Sequence, residues 1–159
     1  MSPSVNSDLD LTLSRVIRAP RSVVWNAWAD RAQFAQWWIP APTLCQVAHM
    51  ELRPGGAFVT RMSEEGGPFV PHLDACFLDV VAQERIVFTN VLLGGWRPAE
   101  KGFITAIITF RDHPDGTTYA AHVMHKNGAD RAMHEELGFH DGWGTVANQL
   151  AALAERQVC

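Results

Sequence analysis

Two histidines, His125 and His134, stand a short connection apart, and the second is followed at once by Glu135 and Glu136. Imidazole exchanges protons near neutral pH, and a carboxylate beside it fixes the tautomer and raises the basicity. In a dry cavity such a pair could assist enolisation, hydration or cyclisation of a carbonyl compound. The same residues on the polar first turn of a helix also read as a cap or a solvated face, so His125 and His134 carry a catalytic and a structural reading. His72 and Asp74 form a second candidate, two metal-ligand types that strand alternation puts on one face. No third ligand is evident, and neither HExxH nor paired-cysteine spacing occurs, so no metal and no other cofactor is expected. Gly55 and Gly56 lack the following helix and lysine of a phosphate-binding loop and read as a tight turn.

The charge balance narrows the partners. Thirteen basic and seventeen acidic residues give a formal charge of −4 with no basic run, which argues against nucleic acid and anionic membrane surfaces. No apolar run reaches the length of a membrane span, and the N-terminal MSPSVNSD lacks the charged start and apolar core of a signal peptide. Cys45, Cys76 and Cys159 are an odd set without metal-type spacing, which reads as free thiols in a reducing, cytoplasmic setting, Cys159 being an exposed terminal one. A chain of 159 residues can bury a real core as one domain. A flexible tail over residues 1–8 and a single domain over 9–157 are expected. A symmetric homodimer is entertained only because soluble proteins often form one.

The elements that must position these side chains follow from periodicity. Leu9, Leu11, Leu13 and Ile17 share one parity of a half-buried strand, with Arg15 and Val16 as exceptions. Pro20 suits the first turn of a helix that carries Val24, Trp25 and Trp28, and a second short helix carries Phe34, Trp37 and Trp38. Strands are then predicted near 45–52, 57–63, 69–81, 85–91, 103–111 and 117–125, separated by turn signals such as Arg53-Pro54-Gly55-Gly56 and Asp115-Gly116, with a loop over 94–102. A short polar helix from Asp130 breaks at Gly138. It restarts at Asp141 as a long amphipathic one, whose Trp143, Val146, Ala147, Leu150, Leu153 and Ala154 form a single stripe. The apolar stripe must be covered, and only the β-rich middle is large enough to cover it. The order is α+β, an antiparallel sheet wrapped on the last helix.

Arg18-Ala19-Pro20-Arg21-Ser22-Val23-Val24-Trp25, the Trp37-Trp38 pair, Arg53-Pro54-Gly55-Gly56-Ala57-Phe58, Glu84-Arg85-Ile86-Val87-Phe88-Thr89 and Gly116-Thr117 together resemble the START-like SRPBCC superfamily. More narrowly they resemble its bacterial branch named after an activator of the heat-shock-protein-90 ATPase. The resemblance runs in order over about residues 10–156. It implies a helix-grip fold, in which a curved antiparallel sheet of about seven strands wraps the C-terminal helix around an apolar cavity, with two short helices after the first strand.

Strand parity proposes the lining. Ile86, Phe88 and Asn90 share a face, as do Ile104, Ala106, Ile108 and Phe110, and as do Tyr119, Ala121, Val123 and His125. Together with the helix-grip geometry, this gives an expected ligand cavity of Trp38, Phe58, Phe77, Phe88, Asn90, Trp96, Ile108, His125, Phe139 and Trp143. Trp25, Trp28 and Trp37 are read as packing, and Trp38, Trp96 and Trp143 as mouth or floor. Three functions fit. The first is binding of a small apolar or aromatic molecule, oriented by a few polar groups. The second is a cyclase- or hydrolase-type enzyme using His125 or His134. The third, a chaperone-associated module, rests on the family name alone.

Overall fold

A computed structural model describes residues 3–158. A turn over residues 6–9 leads into the first strand, with the Asn6 carbonyl accepting from Leu9 N and Asp10 N at 3.1 and 2.8 Å. In β1 (Asp10–Ile17) Leu11 and Ile17 are buried, and Arg15, the exception in the stripe, reaches from the same face to Asn148 Oδ1 at 2.7 Å. Pro20 then caps α1 (Arg21–Ala29), which buries Val24, Ala27 and Trp28. The Asp30 carboxylate accepts from Gln33 N at 3.1 Å and starts α2 (Arg31–Phe34). That helix ends at Phe34, one turn earlier than the sequence suggests, and Trp37 and Trp38 lie in the turns beyond it.

The chain continues through β2 (Leu44–Met50), β3 (Ala57–Ser63), β4 (Val70–Val81) and β5 (Arg85–Thr89). The predicted loop over 94–102 is partly structured. A two-residue ribbon pairs β6 (Leu92–Leu93) with β7 (Arg97–Pro98) across a helical turn at Gly94–Trp96. After β8 (Thr105–His113) and β9 (Gly116–Met124) come α3 (Gly128–Glu136) and α4 (Phe139–Arg156). Gly138 joins the two helices at φ +95°, a left-handed conformation that favours glycine. Its carbonyl already accepts from Gly142 N at 2.7 Å, so α4 begins at Phe139 rather than at Asp141.

The seven long strands form one antiparallel sheet in the order β1-β9-β8-β5-β4-β3-β2. Register shifts near Ala48, His72 and Leu78 interrupt its β2–β5 side, and such bulges bend and twist a sheet. The inner face carries rows that run across strands, one of them Phe77, Phe88, Ala106, Val123 and Leu11. Onto that face α4 lays Ala147, Leu150, Ala151, Leu153 and Ala154, all buried. Burying a leucine such as Leu150 completely contributes roughly 1.5–3 kcal/mol. The predicted α+β helix-grip architecture is the one observed. No described helix is long and apolar enough to cross a membrane.

Candidate functional site

Where α4 touches the sheet decides where space is left. The helix packs mainly on β1 and α1, at one side of the sheet, and beside its first turns a cavity of about 330 Å³ remains. Gly142, Trp143 and Val146 supply the helix wall, and Leu73, Phe88 and Ile104 the sheet wall. Trp38 and Pro40 close a third side from the segment after α2. That segment is tied to α4 by one side chain. Gln149 donates from Nε2 to the carbonyls of Trp37 and Ile39 at 2.9 and 3.0 Å and accepts from Ala41 N at 2.8 Å.

Polar groups enter this apolar space at three points. His134, half-buried on α3, lines the cavity, and its Nδ1 lies 2.8 Å from His125 Nε2. His125 is buried at the end of β9, with Nδ1 2.8 Å from the Leu9 carbonyl. The His134 ring is wedged between Phe103 and Phe139, at centroid separations of 5.0 and 5.1 Å. Burial, and secondarily the neighbouring His125, hold the His134 pKa down at about 4. The second point is His72, exposed at the mouth, whose Nδ1 is 2.9 Å from the Thr60 hydroxyl. Its pKa is also lowered, by the protein packed around it, although the residue as a whole is exposed. The third is Trp143, whose Nε1 has no partner among the described residues and is not sealed, whereas Nε1 of Trp38 is sealed from solvent and, alone among the described buried side-chain nitrogens and oxygens, has no hydrogen-bond partner.

The sequence-based site is thus partly assembled. Trp38, Phe88, His134 and Trp143 meet around the cavity, and His125 stands directly behind His134. Phe139 backs the same wall, stacked on Trp143 at 5.4 Å. Phe58, Phe77 and Ile108 are fully buried, and Phe58 stacks on Phe77 at 4.7 Å, so these three belong to solid core adjoining the cavity. Asn90 is structural, its Oδ1 accepting from the amides of Phe103 and Ile104 at 2.8 and 2.9 Å. Trp96 lies elsewhere. It is half-exposed and sits over Gly55, where a Cβ would come within 2.5 Å of its Nε1. The turn glycine, at φ +82°, makes a seat for the indole.

His72 and Asp74 do not share a site. Thr60 pairs with Leu73 while Arg61 pairs with Pro71, so His72 is the extra residue of a bulge. The bulge turns His72 toward Thr60 and the cavity and leaves Asp74 exposed beside Val59. Among the described residues no group of three or more His, Cys, Asp or Glu could hold a metal ion. Cys76 is buried and unpaired, and burial pushes the Cys45 thiol up to about 11, which makes it a poor nucleophile. Cys159 lies outside the described residues.

Sequence reasoning left Pro40, His72, Leu73, Ile104, Gly142 and Val146 out of the cavity. Ile104, the residue before β8, continues that strand's inner-facing parity, and Val146 lies in the apolar stripe of α4, so both could have been included. Leu73 and His72 are hidden by the bulge, which no alternation pattern announces.

The known proteins agree with this architecture. A protein from Nitrosomonas europaea is 36% identical, with a TM-score of 0.87 over 96% of this chain and 98% of its own. One from Chromobacterium violaceum is 26% identical, with a TM-score of 0.70 over 92% and 98%. An AHSA1-like protein from Aeromonas hydrophila, 17% identical with a TM-score of 0.68 over 94% of each chain, shares the fold. No curated protein matches the chain. The model of the family described as "Activator of Hsp90 ATPase homolog 1-like protein" matches residues 18–155, so the helix-grip architecture has a family behind it, and the chain belongs to that family.

Proposed function

We propose that the chain binds a small, largely apolar molecule between the first turns of α4 and the sheet. The carrying observation is the cavity itself, about 330 Å³ in volume, with two indoles and Leu73, Phe88, Ile104 and Val146 around it. Sites for small molecules have this size and makeup, apolar walls with a few placed polar groups. A dry, close-packed interior would leave no such space beside a half-buried tryptophan. The test is titration of an environment-sensitive apolar dye into the protein and into Val146→Trp, which fills the cavity from the helix side. The native protein is expected to bind the dye and the variant to lose most of that binding while melting at a similar temperature. Equal binding by both would place the dye elsewhere and sink the proposal.

The contact between His125 and His134 supports a second reading, acid–base catalysis on a carbonyl compound held in the same cavity. A neutral imidazole at the wall can take a proton from an acidic carbon, and a second imidazole behind it can share the resulting charge. Proton–deuterium exchange at the α-carbon of an apolar ketone, lost on His134→Ala, is the expected sign. Exchange that survives the substitution would remove this reading.

A further inference from the structure

The hydrogen bonds behind the cavity have a direction. A carbonyl oxygen only accepts, so the His125 Nδ1 that lies 2.8 Å from Leu9 O carries a hydrogen. In the uncharged pair His125 then has only a lone pair at Nε2. Its 2.8 Å contact with His134 Nδ1 closes as a hydrogen bond only if His134 donates. The His134 proton is therefore on Nδ1, and its Nε2 keeps a free lone pair. That atom has no partner among the described residues and is not among the sealed atoms, so it opens onto accessible space. Phe103 and Phe139 on either side hold the ring in place.

The other polar atoms around the cavity point the opposite way. Trp143 Nε1, which has no partner among the described residues and is not sealed, can only donate. The fully buried Thr60 hydroxyl makes no other described side-chain bond, so its own proton is satisfied by donating to His72 Nδ1, which leaves the His72 proton on Nε2. The lining thus offers donors at Trp143 and His72 and one side-chain acceptor, at His134.

We infer that His134 Nε2 is a fixed, uncharged hydrogen-bond acceptor in the cavity, and that the molecule bound there presents to it a hydroxyl or N–H group on an apolar body. A carboxylate would meet a lone pair, and an ether would leave that lone pair unpaired. His125 is the positioning residue, since it sets which nitrogen of His134 carries the proton. The inference rests on the proposed cavity binding and adds the chemistry that the ligand must have.

Two measurements on the full chain test it. The first compares β-naphthol with its methyl ether, two apolar probes that differ in one donor. The native protein is expected to prefer the naphthol by about five- to tenfold, the size of one net hydrogen bond, and His134→Phe to show no preference. The second reads the protonation of the imidazole nitrogens directly by nitrogen-15 NMR. His134 is expected to carry its proton on Nδ1 in the native protein and to lose that fixed assignment in His125→Phe, with the naphthol preference shrinking in step. A merely structural His125 would leave the His134 tautomer unchanged. Equal binding of the two probes, or a native His134 with its proton on Nε2, overturns the inference and leaves cavity binding standing. Failure of both probes to bind the native protein overturns both.

Discussion

Trp28 and Trp37 within the aromatic cluster and Trp38 and Trp143 where that cluster meets the cavity are one residue type in two conditions. Trp28 and Trp37 are fully buried, and each indole donates a hydrogen bond, to the Tyr119 hydroxyl at 3.1 Å and to the Ala27 carbonyl at 2.8 Å. Trp38 is nearly as buried with its donor orphaned, and Trp143 is only half-buried. The first pair is enclosed on all sides, Trp28 on α1 and Trp37 in the turns after α2. The second borders the cavity, Trp38 from the turns after α2 and Trp143 from the first turns of α4. A packed core satisfies its polar atoms, whereas a binding site holds some in reserve. The state of the indole N–H therefore separates the two regions better than burial does.

The contrast predicts unequal costs. Leu150→Asp, which drives an unpaired charge into the solid half, is expected to abolish the folded state. Trp37→Ala should cost about 3–5 kcal/mol in urea unfolding, since it removes a large ring and empties its site. Trp143→Ala is expected to cost less than half of that while removing most dye binding. Equal losses of stability for Trp37→Ala and Trp143→Ala would erase the distinction between core and site.

Gln149 links the two regions and gives a smaller, sharper effect. Its amide makes the three hydrogen bonds that, among the described residues, hold the Trp37–Ala41 segment to α4. Gln149→Ala is expected to cost roughly 1–3 kcal/mol, because two carbonyls and one amide lose their partner. Dye affinity should fall as well, because Trp38 and Pro40 are carried on that segment. A loss of stability with unchanged dye affinity would show that the segment keeps its place without the clamp.

What was legible in the sequence divides along the same line. The stripe on α4 and the parity of β5, β8 and β9 are regular, and regular patterns survive into the fold: Leu150, Phe88, Ala106 and Val123 all face inward as their spacing requires. The meeting of His125 with His134 was within reach because a strand end and the next helix are neighbours in the chain. His72 was misplaced because a single unpaired residue reverses every side chain that follows it, and a bulge has no marker in composition. Trp96 was misplaced because its seat over Gly55 comes from a turn far away in the sequence. The orphaned Trp38 donor is a property of three-dimensional packing, so no reading of the chain alone would find it.

The smallest expected effect concerns the pH dependence of stability. The folded protein holds the His134 pKa near 4, against an ordinary value of 6.5, through burial first and the proximity of His125 second. Above about pH 6.5 the group is neutral in both folded and unfolded chains and contributes no pH dependence. As the pH falls from there toward 4, the unfolded chain binds a proton that the folded one refuses, so stability declines through that window and levels off below it. His134→Phe keeps a ring in the wedge between Phe103 and Phe139 but cannot take the proton. Urea melts of native protein and variant at about pH 7 and about pH 4.5 read the contribution of the His125–His134 pair, because the titrating groups outside it, His72 included, are common to both and only His125 loses a partner in the variant. The native protein is expected to lose more stability than the variant between these conditions, by an amount that solvent screening at a half-buried site keeps modest. Parallel pH profiles would mean that His134 is as easily protonated in the fold as out of it, and the neutral acceptor at the cavity wall would then be a cation over part of the acid range.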